Sequence, residues 1–454
     1  MGLQDISCDF LIRTVWSGLV GCALYTVYLC IYRLYFHPLS SVPGPKLAAV
    51  TRFYEAYYNV LWHDGQYLFK TERLHAIYGP IVRISPNEVS IKDPHFYDKI
   101  YYIGSGFEKD PAFYSGFGVN HSMFATRSNA QHSAMRASFN PFFSRRNILS
   151  LEYAVKETVG KLCGRIDKAV QDKNPFDILH GFKAVSIDVI TGFAFDFSFN
   201  LLDREDVGKS FCEETEARLG SHWIAMYFPV IHIILPRLPL GLVKVLQPGI
   251  QALIDLKGTV GGALTSTVFG ILSNPAIGER LHKELKEAFP DPNEELSFLK
   301  LETIPYLSAV IKEGTRKYPG LIARLPRLTP PGGISYGQYY IPEGVSISMS
   351  AYYMHKDEVV FPEPAKFNPE RWIGPDARSL EKFLVPFSKG SRACLGINLA
   401  YCELFLIVGS IFRKYDLEIY DTSEADITPV RDYMIGYPMK ESKGFRVLAR
   451  DRAH

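Results

Sequence analysis

Phe387-Ser388-Lys389-Gly390-Ser391-Arg392-Ala393-Cys394-Leu395-Gly396 is the stretch on which the reading of this chain turns. It has the composition of a cradle for a metal-bound thiolate. Cys394 supplies the sulfur. Gly390 and Gly396 carry no Cβ, so the backbone can turn sharply and approach a flat ligand. Backbone N–H groups after Cys394 can point at the sulfur and tune its electron donation. Phe387 can wall the sulfur face. Arg392 is a cation two residues from the thiolate, placed to pair with a carboxylate. A helical pattern follows at once, from Ile397 to about Arg413. Its N-terminus faces the sulfur, where the helix dipole favours negative charge.

Five positions of this stretch, Phe387, Gly390, Arg392, Cys394 and Gly396, match the heme-binding loop of the cytochromes P-450 at fixed spacing. A lone cysteine is usually a small core hydrophobe; the matched spacing is what points elsewhere. The resemblance implies that Cys394 is the axial ligand of heme iron, with Phe387, Arg392 and Gly396 around the b-type heme. A thiolate there pushes electron density onto iron and favours O–O cleavage.

Composition sets the outer bounds. The chain has 454 residues, 47% hydrophobic and 22% charged, with a net charge of +2 that gives no footprint for nucleic acid. Its 30 Phe, 27 Tyr and 4 Trp suit a large apolar interior. The seven cysteines are odd in number and form no CxxC pair, so neither a zinc site nor a disulfide framework is indicated. The body reads as reduced and cytosol-facing.

In chain order, residues 1–13 form a short tail. Thr14 to Tyr32 runs without a charge between Arg13 and Arg33, long enough to cross a bilayer once. Trp16, Tyr25, Tyr28 and Tyr32 include interfacial anchors. The reading is an uncleaved anchor at 14–32, in the endoplasmic reticulum membrane, with the catalytic body in the cytosol. Residues 33–46 carry Pro38, Pro43 and Pro45 and form a stiff hinge. Residues 47–454 are the catalytic domain. The expected fold is mainly α with a minor β region: a cytochrome P-450 fold with an N-terminal transmembrane helix.

A helix over Asp64–Tyr78 stops at Gly79-Pro80, and a β-hairpin follows about Pro86-Asn87. Gly104 to Val119 reads as a loop; the resemblance makes Phe113, Tyr114 and Phe117 substrate-contact candidates. His132 and Arg136 are four apart on an expected helix, Asn129–Asn140, and so share a face. Spacing alone also fits a solvated face; the resemblance implies that the pair holds a heme propionate. Three more helices are expected over Leu149–Gln171, Phe182–Phe199 and Glu205–Leu219. The apolar, proline-interrupted run Trp223–Leu246 fits either a buried segment or the membrane-dipping substrate channel of the family.

One interval departs from the family. Gly258-Thr259-Val260 resembles the start of the oxygen-activating signature of the long distal helix. The expected threonine pair is then replaced by Gly261-Gly262, and the central distal helix is shortened, with few residues between Pro248 and Gly258. Two adjacent glycines inside a helix cost about 2 kcal/mol relative to alanine. Thr259 is the first candidate for proton delivery and Thr265 the second.

The C-terminal half follows the family pattern. Glu313 and Arg316 lie three apart and can pair on one turn. The Phe367-Asn368-Pro369-Glu370-Arg371-Trp372 box resembles the family's Pro-Glu-Arg-aromatic motif and implies a structural triad of Glu313, Arg316 and Arg371. Arg324 is the expected second propionate cation, with Arg327 the alternative; Leu321 and Ile322 are pocket candidates. His355 is expected to make a structural hydrogen bond and not to bind metal.

The whole pattern most resembles the membrane-bound cytochromes P-450 of filamentous fungi, within the trichodiene-oxygenase-like group of secondary metabolism. It implies a heme-thiolate monooxygenase that puts one oxygen atom of O2 into an apolar small molecule, a terpenoid or polyketide intermediate. Electrons would come from an NADPH-cytochrome P-450 reductase. Two rivals stand beside it. One is a heme-binding relative without oxygenase activity, because of the altered distal helix. The other is a heme-thiolate isomerase or peroxide-using enzyme.

Overall fold

Turn chemistry and apolar periodicity set most element boundaries in the computed structural model, which describes residues 3–61, 64–117, 122–195, 197–216, 221–228, 258–291 and 293–452. The content is 55% helix and 10% strand. The N-terminal helix runs Leu3–Ile31 and passes through a π-turn, Tyr32–Phe36. Phe10–Phe36 is long and apolar enough to cross a membrane and is 0% buried in the protein. The Ile178–Phe195 helix also passes on length and composition, but 61% of it is buried. Its apolar content belongs to the core.

The helix expected from Asp64 starts later, at Tyr67, because Asp64 and Gly65 take positive φ and form a turn first. It ends at Tyr78, where Gly79 adopts φ +93°. Strands Ile81–Ser85 and Glu88–Ile91 pair antiparallel as the hairpin pattern predicts. They continue through Ser346–Ser348 and Arg327–Leu328 to Glu108–Lys109, giving a five-stranded sheet. The stretch read as a loop from Gly104 is therefore partly ordered, with the Glu108–Lys109 strand and a Pro111–Tyr114 helical turn. Asp110 caps that turn by accepting from the Ala112 N–H. Its end, 118–121, lies outside the described residues, as do 229–257, which hold most of Trp223–Leu246 and the Pro248 side of the altered interval.

The main core is helix on helix. Glu152–Asp172, Ile178–Phe195, Gly258–Leu272, Pro305–Lys317 and Ile397–Lys414 bury one continuous apolar cluster, including Leu162, Phe182, Leu264, Val310 and Ile407. Gly258–Leu272 runs through the middle of it. Its glycines are contact points: a Cβ on Gly262 would stand 2.2 Å from the Tyr318 ring, and one on Gly270 2.3 Å from the Phe367 ring. Gly261 lies against Lys183. The propensity cost of the Gly261-Gly262 pair thus brings two neighbours onto the helix surface.

Candidate functional site

The cysteine loop is held by its own backbone. The Cys394 N–H donates to the Phe387 carbonyl at 2.9 Å, closing the loop on itself. Gly390 has φ +71°, and a Cβ there would meet the Tyr102 backbone at 2.7 Å and the Tyr101 carbonyl oxygen at 2.8 Å. That glycine is sterically required. Gly396 is different: it has ordinary φ, and a Cβ would only touch the sulfur at 4.0 Å. Its contribution is the N–H, which hydrogen-bonds the sulfur. The helix after it spans Ile397–Lys414, as the periodicity predicts. The Phe387 ring lies 5.2 Å from that of Tyr401 on this helix.

Cys394 combines two properties. Its surface is exposed, yet protein atoms surround it, and that burial pushes its thiol above the ordinary range. The Gly396 N–H and the Arg136 charge oppose the rise. A cation at the sulfur would reverse the balance in favour of thiolate.

Arg136 and His132 sit on the Asn129–Phe139 helix, which Ser128 caps. Arg136 donates from Nη1 to the Ala393 carbonyl at 2.6 Å, directly beside the sulfur. Arg392 donates to the Thr126 and Arg127 carbonyls and to Asn129 Oδ1, at 2.7–3.3 Å. Buried His132 has its pKa pushed down to about 4, by burial first and then by Arg392, Lys109, Arg136 and Arg327. It is neutral at pH 7 and has a ring N–H to donate.

Arg327 and Lys109 complete this group. Both are buried. Arg327 donates to the Tyr114 hydroxyl at 2.7 Å and lies over the Tyr101 ring. Lys109 donates to the Phe124 carbonyl and lies 4.5 Å from the Tyr114 and Phe124 ring centres. Burial and the charges of Arg327 and Arg392 push its pKa well down. Three arginines, Lys109 and a neutral histidine thus influence one another, and among the described residues no ion pair joins Lys109, Arg136, Arg327 or Arg392 to a carboxylate. Such a group calls for an anionic partner. The two carboxylates of a heme would fit that donor set, and Cys394 would supply the thiolate for its iron.

The structure does not put Arg324 in this group. Its Nε donates to Glu88 Oε1 at 2.8 Å and its Nη2 to Glu55, both carboxylates being buried. This guanidinium is already neutralised, which corrects the expectation that it serves a propionate; Arg327, the alternative, occupies the cationic group. Tyr114, read as a substrate contact, is likewise engaged by Arg327. Lys109 was not expected at all. Its only sequence signal is a lysine in an aromatic stretch, which on its own reads as solvated.

The Glu313 carboxylate is 0% exposed. It accepts from Arg316 Nε and Nη2, both at 2.8 Å, and from Arg371 Nε at 3.2 Å. It also accepts from Trp372 Nε1 and the Asn368 N–H, both at 2.9 Å. Arg316 reaches on to the His355 carbonyl. His355 has both ring nitrogens occupied, by the Arg316 carbonyl and the Val385 N–H, so it is structural.

On the central helix, Gly258–Leu272, Thr259 lies against Gly320, whose Cβ position is 3.0 Å from the Thr259 Cβ. Thr265 donates to the Gly261 carbonyl within its own helix, so that hydroxyl is used locally. Phe113 is buried, in one apolar cluster with Tyr114, Ala323, Met434 and Ile435, and Leu321 packs against it.

Comparison with known proteins gives the following. The family model described as Cytochrome P450 matches residues 51–251 and 258–443. The chain is 35% identical to cytochrome P450 monooxygenase sdnE of Sordaria araneosa, over 93% of this chain and 95% of that one. It is 34% identical to the monooxygenase TRI4 of Trichoderma arundinaceum, over 92% of each. It is 34% identical to macH of Penicillium terrestre, over 89% and 92%. The first alignment spans 494 positions, more than the 454 residues of this chain, so it carries gaps on this side.

Proposed function

This chain belongs to the cytochrome P450 family, and from that membership we propose that it is a heme-thiolate monooxygenase of secondary metabolism. The observation that carries the reading is the pairing of the Cys394 loop with a partly buried basic group that no carboxylate among the described residues neutralises. The heme, when bound, supplies oxygen activation and electron transfer. The chain's residues do the rest. Cys394 would hold the heme iron through its thiolate, and the Gly396 N–H on its sulfur would tune the electron donation. Lys109, Arg136, Arg327, Arg392 and neutral His132 would hold the heme carboxylates. Thr259, on the central helix, would deliver protons to the oxygen-activating site. Glu313, Arg316 and Arg371 keep the proximal core rigid.

Residues 14–32 anchor the chain in the endoplasmic reticulum membrane, 33–46 form the hinge and 47–454 the cytosolic catalytic domain. An exposed apolar helix over Phe10–Phe36 supports the anchor. Electrons come from an NADPH-dependent reductase. The substrate is an apolar terpenoid or polyketide intermediate; the aromatic and aliphatic cluster around Phe113 and Met434 supports an apolar ligand.

A second reading has its own observation. The family match breaks between 251 and 258, just before the central helix, and the aligned length exceeds the chain. A chain that lacks part of its distal wall can bind heme and fail to oxygenate. Carbon monoxide difference spectra of reduced membranes, with Cys394→Ala alongside, test heme ligation. A thiolate-type band lost in Cys394→Ala is expected. Labelled O2 entering a product only with NADPH and reductase would support the monooxygenase. A normal band without any product from a terpenoid and polyketide panel would favour the second reading.

A further inference from the structure

The Tyr318-Pro319-Gly320 segment leaves the Pro305–Lys317 helix and presses on the central helix at two points one turn apart. The Tyr318 ring covers Gly262, and Gly320 covers Thr259. Positions 259 and 262 share one helix face. The Tyr318 hydroxyl then donates to the Gly436 carbonyl at 2.8 Å, in the antiparallel pair Arg431–Tyr433 and Ile435–Tyr437. That pair turns at Met434, at φ +74°, and the Met434 carbonyl accepts from the Ile322 and Ala323 N–H groups. Met434 and Ile435 pack with Phe113, Tyr114 and Ala323.

A single side chain therefore touches the helix that carries Thr259 and the hairpin that walls the apolar cluster. Gly262 is what lets the ring this close. A Cβ at 262 would stand 2.3 Å from the ring's Cζ and 2.7 Å from its hydroxyl oxygen. Apolar packing seats the ring in the main core, and the hydroxyl bond ties it to the hairpin. Phenylalanine would fill the same ring site and lose that bond.

We propose that Tyr318, seated on Gly262, is a positioning residue that sets the hairpin's distance from the central helix and thereby the depth of the substrate pocket. The inference rests on the monooxygenase reading for its meaning, but the contact itself does not. The test uses the full-length holoprotein, with Tyr318→Phe and Gly262→Ala. Hydrogen exchange of residues 431–437 should quicken about fivefold in Tyr318→Phe, which is what one net hydrogen bond supports. Spectral titration with imidazole, which reaches only the iron, should be unchanged. Titration with 1-dodecylimidazole, whose chain must pass the hairpin, should shift by about fivefold or more, the same hydrogen-bond equivalent. Gly262→Ala displaces the ring and should give the same pattern. Wild-type affinity for both ligands overturns the proposal. So does an equal change in both, or faster exchange with unchanged dodecylimidazole binding, because each would make Tyr318 merely structural. Exchange needs no heme, so the contact is read even if the wild-type chain shows no thiolate band and the monooxygenase reading itself fails.

Discussion

Replacing Glu313 by glutamine should cost this protein a large part of its stability. The carboxylate accepts five hydrogen bonds at 2.8–3.2 Å from Arg316, Arg371, Trp372 and Asn368, and it is fully buried. In Glu313→Gln one oxygen becomes an NH2 group that faces N–H donors. If the amide oxygen keeps the Oε1 site, Arg316 Nε and Trp372 Nε1 lose their acceptor. Arg316, 1% exposed, keeps its charge with no anion against it. Breaking one partner of a buried pair costs about 3–5 kcal/mol, against a total stability of about 5–15 kcal/mol. With an m-value of about 3 kcal/mol/M, the urea midpoint falls by about 1 M or more. Tryptophan fluorescence and Soret absorbance would follow the transition. Lys283→Gln is the control: its pair with Glu287 is 3.9 Å long and exposed on both sides, worth well under about 1 kcal/mol. A Glu313→Gln midpoint within about 0.2 M of wild type would refute the reasoning. The pH dependence has a definite sign. Burial pushes the Glu313 carboxyl up, but the Arg316 hydrogen bonds and the Arg316 and Arg371 charges outweigh it and hold it below the usual range. Its stabilisation is present above the unfolded carboxyl range and is lost as pH falls through its folded value; the variant should lack that acid limb.

Other tests follow from single groups. Gly390→Ala must clear the Tyr101–Tyr102 backbone at positive φ and should lower heme occupancy, read from the pyridine hemochrome, whereas Gly396→Ala should load heme normally. Lys109→Met and Arg327→Leu should each speed heme loss to apomyoglobin by tenfold or so, about 1.4 kcal/mol per lost carboxylate contact, while Arg324→Leu should act on folding instead. Glu403 is buried and its carboxyl is pushed up to about 8, chiefly by burial, with the Ser186 hydroxyl donating to it at 2.9 Å. It is therefore neutral when folded, and its contribution is lost as pH rises from about 4.5 to about 8. Glu403→Gln should stabilise the protein near pH 8 and flatten that limb in urea titrations.

Much of this protein is local in the sequence. The Phe387–Gly396 loop, the Glu313–Arg316 spacing and the helix from Ile397 were legible, because each depends on residues within one or two turns of one another. The uncharged run from Thr14 to Tyr32 was legible for the same reason. The start of the Tyr67 helix and the order within Gly104–Phe117 were not, since a positive-φ turn and a strand partner more than 200 residues away decide them.

The division has a physical cause. Sequence alone determined the chemistry on offer: a cysteine in a glycine turn, cations spaced along helices, an acid three residues from an arginine. Only the tertiary structure decided which cation meets which carboxylate. Arg324 and Arg327 lie three residues apart, yet one is neutralised by Glu55 and Glu88 while the other joins Lys109, His132 and Arg392. Charge pairing in a low-dielectric interior depends on distances of a few ångströms between distant segments, and a linear spacing of three carries no record of them. The same holds for Gly261-Gly262. As a sequence they are a helix defect, and only the packed fold shows Lys183 and the Tyr318 ring against them.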